Sequence, residues 1–176
     1  MVDILDRLKA QARILHTQAK HAEPTAQARL RALPEFREGD TSQLAEGVKR
    51  RHCLAVIARE LGFDGWPHLV SVVSGEPVED FGGLLYPPRF SARLNIWCAS
   101  YNEAARVRAE HGGYLLVFKR QFFIAEEGFI EAFGLDPHDA DWEQIGRDWA
   151  RPRDVETRRR LYTKAIEARQ QINMPA

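Results

Sequence analysis

The residues best equipped for chemistry lie between Cys98 and Asn102, C-A-S-Y-N, where a strand-like run gives way to a helix-like one. A thiol at the carboxyl end of a strand, just before a helix, meets the positive end of the helix dipole, which lowers its pKa and presents it as a nucleophile. Ser100, Tyr101 and Asn102 would add a hydroxyl, a phenol and an amide beside it. Cys98, Ser100 and Tyr101 are therefore the candidate catalytic residues, and Asn102 is a candidate ligand contact. No base stands near the thiol in sequence, so His52, His68 or His111 would have to be brought to it by folding. Cys98 also alternates with Leu94 and Ile96, and that period of two predicts a core cysteine in preference to a reactive one.

Two further clusters invite a functional reading. In GRDWARPRD, Arg147, Arg151 and Arg153 surround Trp149 and could grip a phosphate or carboxylate. The competing expectation, which is preferred, is a solvated helix end with Pro152 and an Asp154 cap opening the next helix. The run DPHDADWE, Asp136 to Glu143, has acid and histidine spacing suggestive of a metal. It lacks the glycine at the sixth and the glutamate at the twelfth position of a calcium loop, and a helix cap at Asp139 or Asp141 explains it, so no metal and no cofactor are expected. Arg158, Arg159 and Arg160 are expected on a water-facing helix side. P-loops, GxGxxG, HExxH, GxSxG and paired CxxC are absent.

The elements that must position these residues are organised around His52 to Val73, HCLAVIARELGFDGWPHLVSVV. Leu54, Ile57, Ala58 and Leu61 recur at helical spacing and predict a buried face. Gly62 is placed to end that helix in the left-handed conformation, with Phe63 folding back on it. Asp64 is expected to cap the next helix, Pro67 fits its first turn, and Trp66, Leu69, Val70 and Val73 continue the apolar stripe. Phe63 and Trp66 are expected to fill the corner. The string IARELGFDGWPHL, preceded by KRRHCLAV, resembles a small helical module of bacterial proteins described as glyoxalase-superfamily-like or ankyrin-repeat-like. The likeness extends over residues 1–74 at most and rests on Ala58, Arg59, Glu60, Gly62, Phe63, Trp66 and Leu69. It implies a bacterial helical scaffold and brings no chemistry, since no glyoxalase-type ligand set follows. A helix-turn-helix is the other reading of this corner, with Lys49, Arg50 and Arg51 just upstream, but a recognition helix opening on Trp66 and Pro67 lacks the polar residues that reach base edges.

Composition narrows the partners. A chain of 176 residues, 44% hydrophobic, is long enough to bury a core. With 25 basic and 25 acidic residues it has no net charge, which disfavours nucleic acid and anionic membranes as partners. Two cysteines without a spacing motif, and neither a signal peptide nor an apolar run long enough to span a membrane, predict a cytoplasmic protein.

In chain order, Val2 to His21 reads as a helix with a stripe of Leu5, Leu8, Ala12, Leu15 and Ala19. Pro24 to Leu33 is a second, and a third begins near Gln43 behind a Thr41 or Ser42 cap, broken at Gly47. Residues 75–91, rich in Gly and Pro, form a junction, though Phe81, Leu84, Leu85, Tyr86 and Phe90 argue that it packs. Beyond it the period shifts to that of a strand, residues 92–99, apolar on both faces. The S-Y-N-E pair Ser100 and Glu103 starts a helix to His111, stopped by Gly112 and Gly113. Tyr114 to Phe118 and Gln121 to Ala125 read as a hairpin, with one long strand as the alternative. Helices are expected over Glu126 to Phe133, Trp142 to Trp149, and Val155 to Gln171, the last with Leu161, Tyr162, Ala165 and Ile166 inward.

The expectation is thus a mostly α, α+β protein: an antiparallel helical subdomain (1–74), a junction (75–91) and a strand-helix-hairpin unit with C-terminal helices (92–176). The leading functional reading is a noncatalytic module that binds another protein or itself. The alternative is a small enzyme or ligand-binding protein using Cys98, Ser100, Tyr101 and Asn102 together with Arg147, Arg151 and Arg153.

Overall fold

A computed structural model describes residues 3–173. The fold is α+β and mostly α, and the chain divides into two compact units, Met1–Val70 and Ser71–Ala176. Among the described residues no helix is long and apolar enough to cross a membrane.

The first unit is helical. In α1 (Ile4–Lys20) the predicted stripe Leu5, Leu8, Ala12, Leu15 and Ala19 is buried, and the Asp3 carboxylate accepts the Leu5 N–H at 3.1 Å to cap its start. Each large apolar side chain on such a face contributes about 1.5 to 3 kcal/mol. In α2 (Pro24–Leu30) Leu30 is buried, but the helix ends before Leu33, which is buried in the turn that leads to Pro34. The cap of α3 (Thr41–Gly47) is Asp40 and not Thr41 or Ser42. Asp40 Oδ1 accepts the Gln43 N–H at 2.8 Å, and Gln43 Oε1 returns the bond to the Asp40 N–H at 3.3 Å. Val48 and Lys49 are extended and separate α3 from α4 (Arg50–Glu60). The buried face of α4 is His52, Cys53, Val56, Ile57 and Ala58, rotated from the predicted one so that Leu54 is only half-buried.

The stop after α4 is as the residues predict. Gly62 takes φ +92°, and the Phe63 N–H reaches back to the Ala58 carbonyl at 2.9 Å. Phe63 is buried, with the His68 ring edge-on to it at 5.5 Å between centroids. Trp66, expected to share the corner, is half-buried. The next helix, α5 (Trp66–Ser74), starts from Gly65, whose carbonyl accepts the Leu69 N–H at 3.1 Å; Asp64 lies one residue too early to cap it.

In the second unit, β1 (Ile96–Cys98), α6 (Tyr101–His111), β2 (Tyr114–Phe118) and β3 (Gln121–Ala125) build an antiparallel sheet of order β1-β3-β2. β1 and β2 therefore run parallel on either side of β3, with α6 as the crossover. The hairpin is real: Phe118 pairs with Gln121. A Lys-Arg turn is tolerated because Lys119, at φ +53°, is pinned by Phe81 and Gly82: the Phe81 N–H donates to its carbonyl at 2.9 Å and its own N–H donates to Gly82 O at 2.7 Å. The Gly/Pro-rich stretch thus belongs to the core. Tyr86 has the rings of Trp97, Phe118 and Phe123 edge-on at 5.0, 5.5 and 5.4 Å and Phe129 stacked at 6.1 Å.

Three helices complete the unit: α7 (Glu127–Phe133), stopped by Gly134 in the left-handed region, α8 (Ala140–Gln144) and α9 (Val155–Asn173). The helix expected over Trp142 to Trp149 ends at Gln144, because Gly146 at φ +72° and Arg147 at φ +52° leave helical space. Leu161, Tyr162, Ala165 and Ile166 are buried as expected. Arg158 is not on the water side: it is 6% exposed, with Nη1 donating to the Trp149 carbonyl at 3.0 Å.

Two outcomes check this packing. Phe123→Ala, at the fully buried centre of the sheet, is expected to lower unfolding free energy in urea by about 3 to 5 kcal/mol. In the first unit, burial and then the neighbouring Arg51 hold the His52 pKa below its ordinary 6.5, with Lys49 and His16 adding to and Glu35 opposing the shift. The neutral ring is the form that accepts the Lys49 N–H, at Nδ1 and 3.1 Å. A lowered folded pKa means that this contribution is complete above the unfolded value and is lost as pH falls through the folded one. The melting temperature of wild type should therefore fall on acidification below about 6.5 more steeply than that of His52→Gln, which keeps an acceptor and cannot titrate.

Candidate functional site

The strand-to-helix junction forms as a piece of architecture, and Cys98 is closed off within it. Cys98 pairs with Phe122 across the sheet and is 2% exposed, within an apolar cluster of Ala104, Leu115 and Ile124 flanked by Tyr101, Val107 and Phe122. Burial, and then the Glu103 carboxylate, push its thiol pKa up, with Arg106 opposing. The expected helix dipole effect is outweighed, because desolvation penalises the thiolate more than the helix end favours it. No histidine is among the charged groups that act on it. His111 sits at the far end of the 11-residue α6, about 15 Å along its axis at a rise of about 1.5 Å per residue.

Ser100 is a cap: its Oγ accepts the Glu103 N–H at 3.3 Å, while Glu103 Oε2 reaches the Ala99 N–H at 3.0 Å. Tyr101 is a latch. Its hydroxyl donates to Asp148 Oδ2 at 2.7 Å, and Arg151 lies over its ring at 3.9 Å from the centroid. Burial and then this bond to Asp148 raise the phenol's pKa, so it holds its proton more firmly than a free tyrosine. Asn102 is exposed in the first turn of α6.

The three arginines are engaged separately. Arg147 bonds Glu143, with Nε at 3.0 Å and Nη2 at 2.8 Å, and lies over Tyr114. Arg151 covers Tyr101, and its N–H donates to Asp148 Oδ1 at 2.8 Å. Arg153 packs on Gly146, where a Cβ would lie 2.9 Å from its Nε. Trp149, expected at their centre, is wholly buried. The segment is a turn and an isolated bridge to β2, not the solvated helix end that its sequence suggests.

The acidic run is likewise spent on structure. Asp139 caps α8 and pairs with Lys164, and Asp141, 7% exposed, holds Arg160 at 2.6 Å and Lys164 at 2.8 Å. Among the described residues no group of three or more His, Cys, Asp or Glu side chains is placed to hold a metal ion.

A different place is open. β1 is an edge strand, and Leu94, Ile96 and Trp97 are 101%, 46% and 38% exposed. The expectation of a strand buried on both faces fails at Leu94 and Ile96, which stand exposed, whereas Cys98 is buried toward α6 and Trp97 packs on Tyr86, Phe118 and Phe123. Beside this edge lies a cleft of about 290 Å³ lined by Leu94, Asn95, Ile96, His111, Gly112, Gly113, Ile124 and Glu126. Asn95 Nδ2 is buried with no hydrogen-bond partner, a donor aimed at nothing in the described protein. Gly113 shapes the wall: at φ +85° its absent Cβ would lie 2.7 Å from the Ala125 carbonyl. The alternation of Leu94, Ile96 and Cys98 carried no sign of this cleft, because edge status depends on the order β1-β3-β2; the Gly112-Gly113 stop and the brevity of the strand are the signals that could have pointed to it.

Native protein treated briefly with iodoacetamide at neutral pH should show neither Cys98 nor Cys53 labelled by mass spectrometry. Burial pushes the Cys53 thiol up to about 11 against an opposing pull from Arg29. Both should label on denaturation; rapid selective labelling of native Cys98 would contradict its placement in the cluster. No family model, no curated protein and no solved structure matches the chain.

Proposed function

We propose that the chain is a noncatalytic binding module, contacting another protein through the β1 edge and the cleft beside it. The observation that carries this reading is the run of exposed apolar residues at the edge of the sheet, Ile96 and Trp97 on β1 and Leu94 just before it. An edge strand offers unpaired backbone groups and is usually blunted by charge, proline or a covering loop; an apolar edge is instead what a partner strand or loop would bury. The cleft supports the same reading by its size. At about 290 Å³ it lies at the small end of ligand clefts, which run from roughly 300 to 1,000 Å³, and it suits one anchoring side chain better than a whole cofactor. Asn95 Nδ2, Glu126 and His111 supply polar groups to orient what enters.

The closed surroundings of Cys98 and the engaged Tyr101 weigh against an enzyme at the strand-to-helix junction. The absence of net charge and the apolar start of α5 weigh against a helix-turn-helix. The two free cysteines and the resemblance of residues 1–74 to a bacterial helical module support a cytoplasmic bacterial setting.

The test uses a displayed random-peptide library selected on wild type. Leu94→Asp should leave the melting temperature unchanged within about 0.5 kcal/mol of stability, as at any exposed position. It should weaken the selected peptides by about tenfold or more, a loss near 1.4 kcal/mol. Peptides that bind both proteins equally would place the contact region elsewhere.

A further inference from the structure

Arg169 on α9 is 6% exposed, and its Nε and Nη1 make no hydrogen bond among the described residues. Buried arginines are ordinarily satisfied by carboxylates or carbonyls. Arg158, equally buried, follows that rule through Nη1, which donates to the Trp149 and Ala150 carbonyls 3.0 and 3.4 Å away, and leaves only its Nε unpaired among the described residues. Among the described residues the one charged group that acts on Arg169 is a second cation, Arg89; burial first and that charge second push its pKa down to about 10. Arg89 is exposed, and so is Arg93. Their guanidinium carbons lie 5.2 and 5.1 Å from the centroid of one ring, that of Phe90. Phe90 packs on Phe133 of α7 at 6.2 Å, and α7 packs on α9. Neither Arg89 nor Arg93 forms an ion pair among the described residues. Three arginines thus gather in one part of the second unit, all without an acid among the described residues.

We propose that Arg169, Arg89 and Arg93 form an anion site that takes a phosphate dianion, free or as the terminal monoester of a small molecule, with Arg169 as its floor and the other two as its rim. The ligand class follows from charge and valence. A carboxylate brings one negative charge and two oxygens, enough for one forked guanidinium. A phosphate monoester at neutral pH brings a charge of about −1.5 to −2 and three acceptor oxygens, which can engage the unpaired donors of all three arginines. The position of Arg169 argues for a ligand over a structural role: a buried cation with no partner destabilises a fold, and an apolar residue of similar length would serve the packing better.

The experiment is a titration of the full chain with inorganic phosphate and with phenyl phosphate at constant ionic strength, read by thermal melting and calorimetry, with sodium chloride as the control. Wild type should bind both probes saturably and melt higher in their presence than in matched chloride. Tighter binding of phenyl phosphate would assign the site to a monoester, and equal binding to phosphate itself. Arg89→Gln and Arg169→Met should each weaken binding at least tenfold. In phosphate-free buffer Arg169→Met should melt above wild type, a gain that a structural arginine would not give. The proposal is overturned if neither probe exceeds the chloride control, if Arg89→Gln binds like wild type, or if Arg169→Met melts lower and still binds. Should Arg169→Met fail to fold, Arg89→Gln and Arg93→Gln, both at exposed positions, decide it through the same titration.

Discussion

A three-stranded sheet has two outer edges, and the backbone groups along each must find partners or water. In the second unit the edge of β2 is sealed at Leu115, whose N–H donates to Arg147 O and whose carbonyl accepts the Trp149 N–H, each at 2.9 Å. Much of the unit depends on that bridge. It fixes the backbone on either side of Asp148, which buries Trp149 against Trp142 and Tyr162 at 5.6 and 4.9 Å. It presents both oxygens of Asp148, one to Tyr101 of α6 and the other to the Arg151 N–H. The Trp149 and Ala150 carbonyls left over by this geometry are taken by Arg158, which ties the bridge to α9. No such segment lies along β1 among the described residues, so the sheet is closed on one side and open on the other.

This asymmetry explains what could be read in the residues and what could not. Local signals carried through: the α1 stripe, the Gly62 stop with Phe63 folded back, the Ser100 and Glu103 cap and the inward face of α9 all follow from neighbours within a turn or two. The errors arose where long-range pairing overrides a local pattern. Leu94 and Ile96 have the period of a buried strand, but β3 inserts between β1 and β2 and leaves them at the rim. Trp149 continues a helical pattern from Trp142, but Leu115 captures its backbone and the helix ends at Gln144. Arg158 belongs to a triplet of arginines that looks solvated, and carbonyls 8 and 9 residues earlier draw it inside. At the strand-to-helix junction the local elements form where their residues predict, while the side chains serve the fold: Ser100 and Tyr101 position α6, and Cys98 fills the space beneath it.

Three buried ionic groups of the second unit show how differently the fold treats charge. Asp141 is held by Arg160 and Lys164; despite the upward push of burial, its carboxyl pKa is lowered by these two cations. That group fastens α8 to α9 and needs nothing more. Arg158 meets dipoles in place of an acid: two carbonyl oxygens accept from its Nη1, and its Nε alone is left unpaired among the described residues. Arg169 has neither acid nor carbonyl at Nε and Nη1, and a cation for a neighbour.

Places where local rules break without compensation are where function is expected to reside, since elsewhere selection for stability would remove them. In the second unit two such places meet along residues 89–96. Arg89 and Arg93 stand with Arg169 without an acid, and Leu94, Asn95 and Ile96 follow directly, two of them exposed apolar side chains and the third an amide with an unused donor. Phe90 at the start of this segment is buried against Phe129 at 5.1 Å, and Ile96 and Cys98 at its end are paired to β3. The stretch is therefore anchored by ordinary packing at Phe90 and by strand pairing at Ile96 and Cys98, with Arg93, Leu94 and Asn95 between those anchors and Arg89 beside the first. In the proposed binding role, that arrangement would hold the contacting groups in place before a ligand arrives, so that less ordering entropy opposes binding.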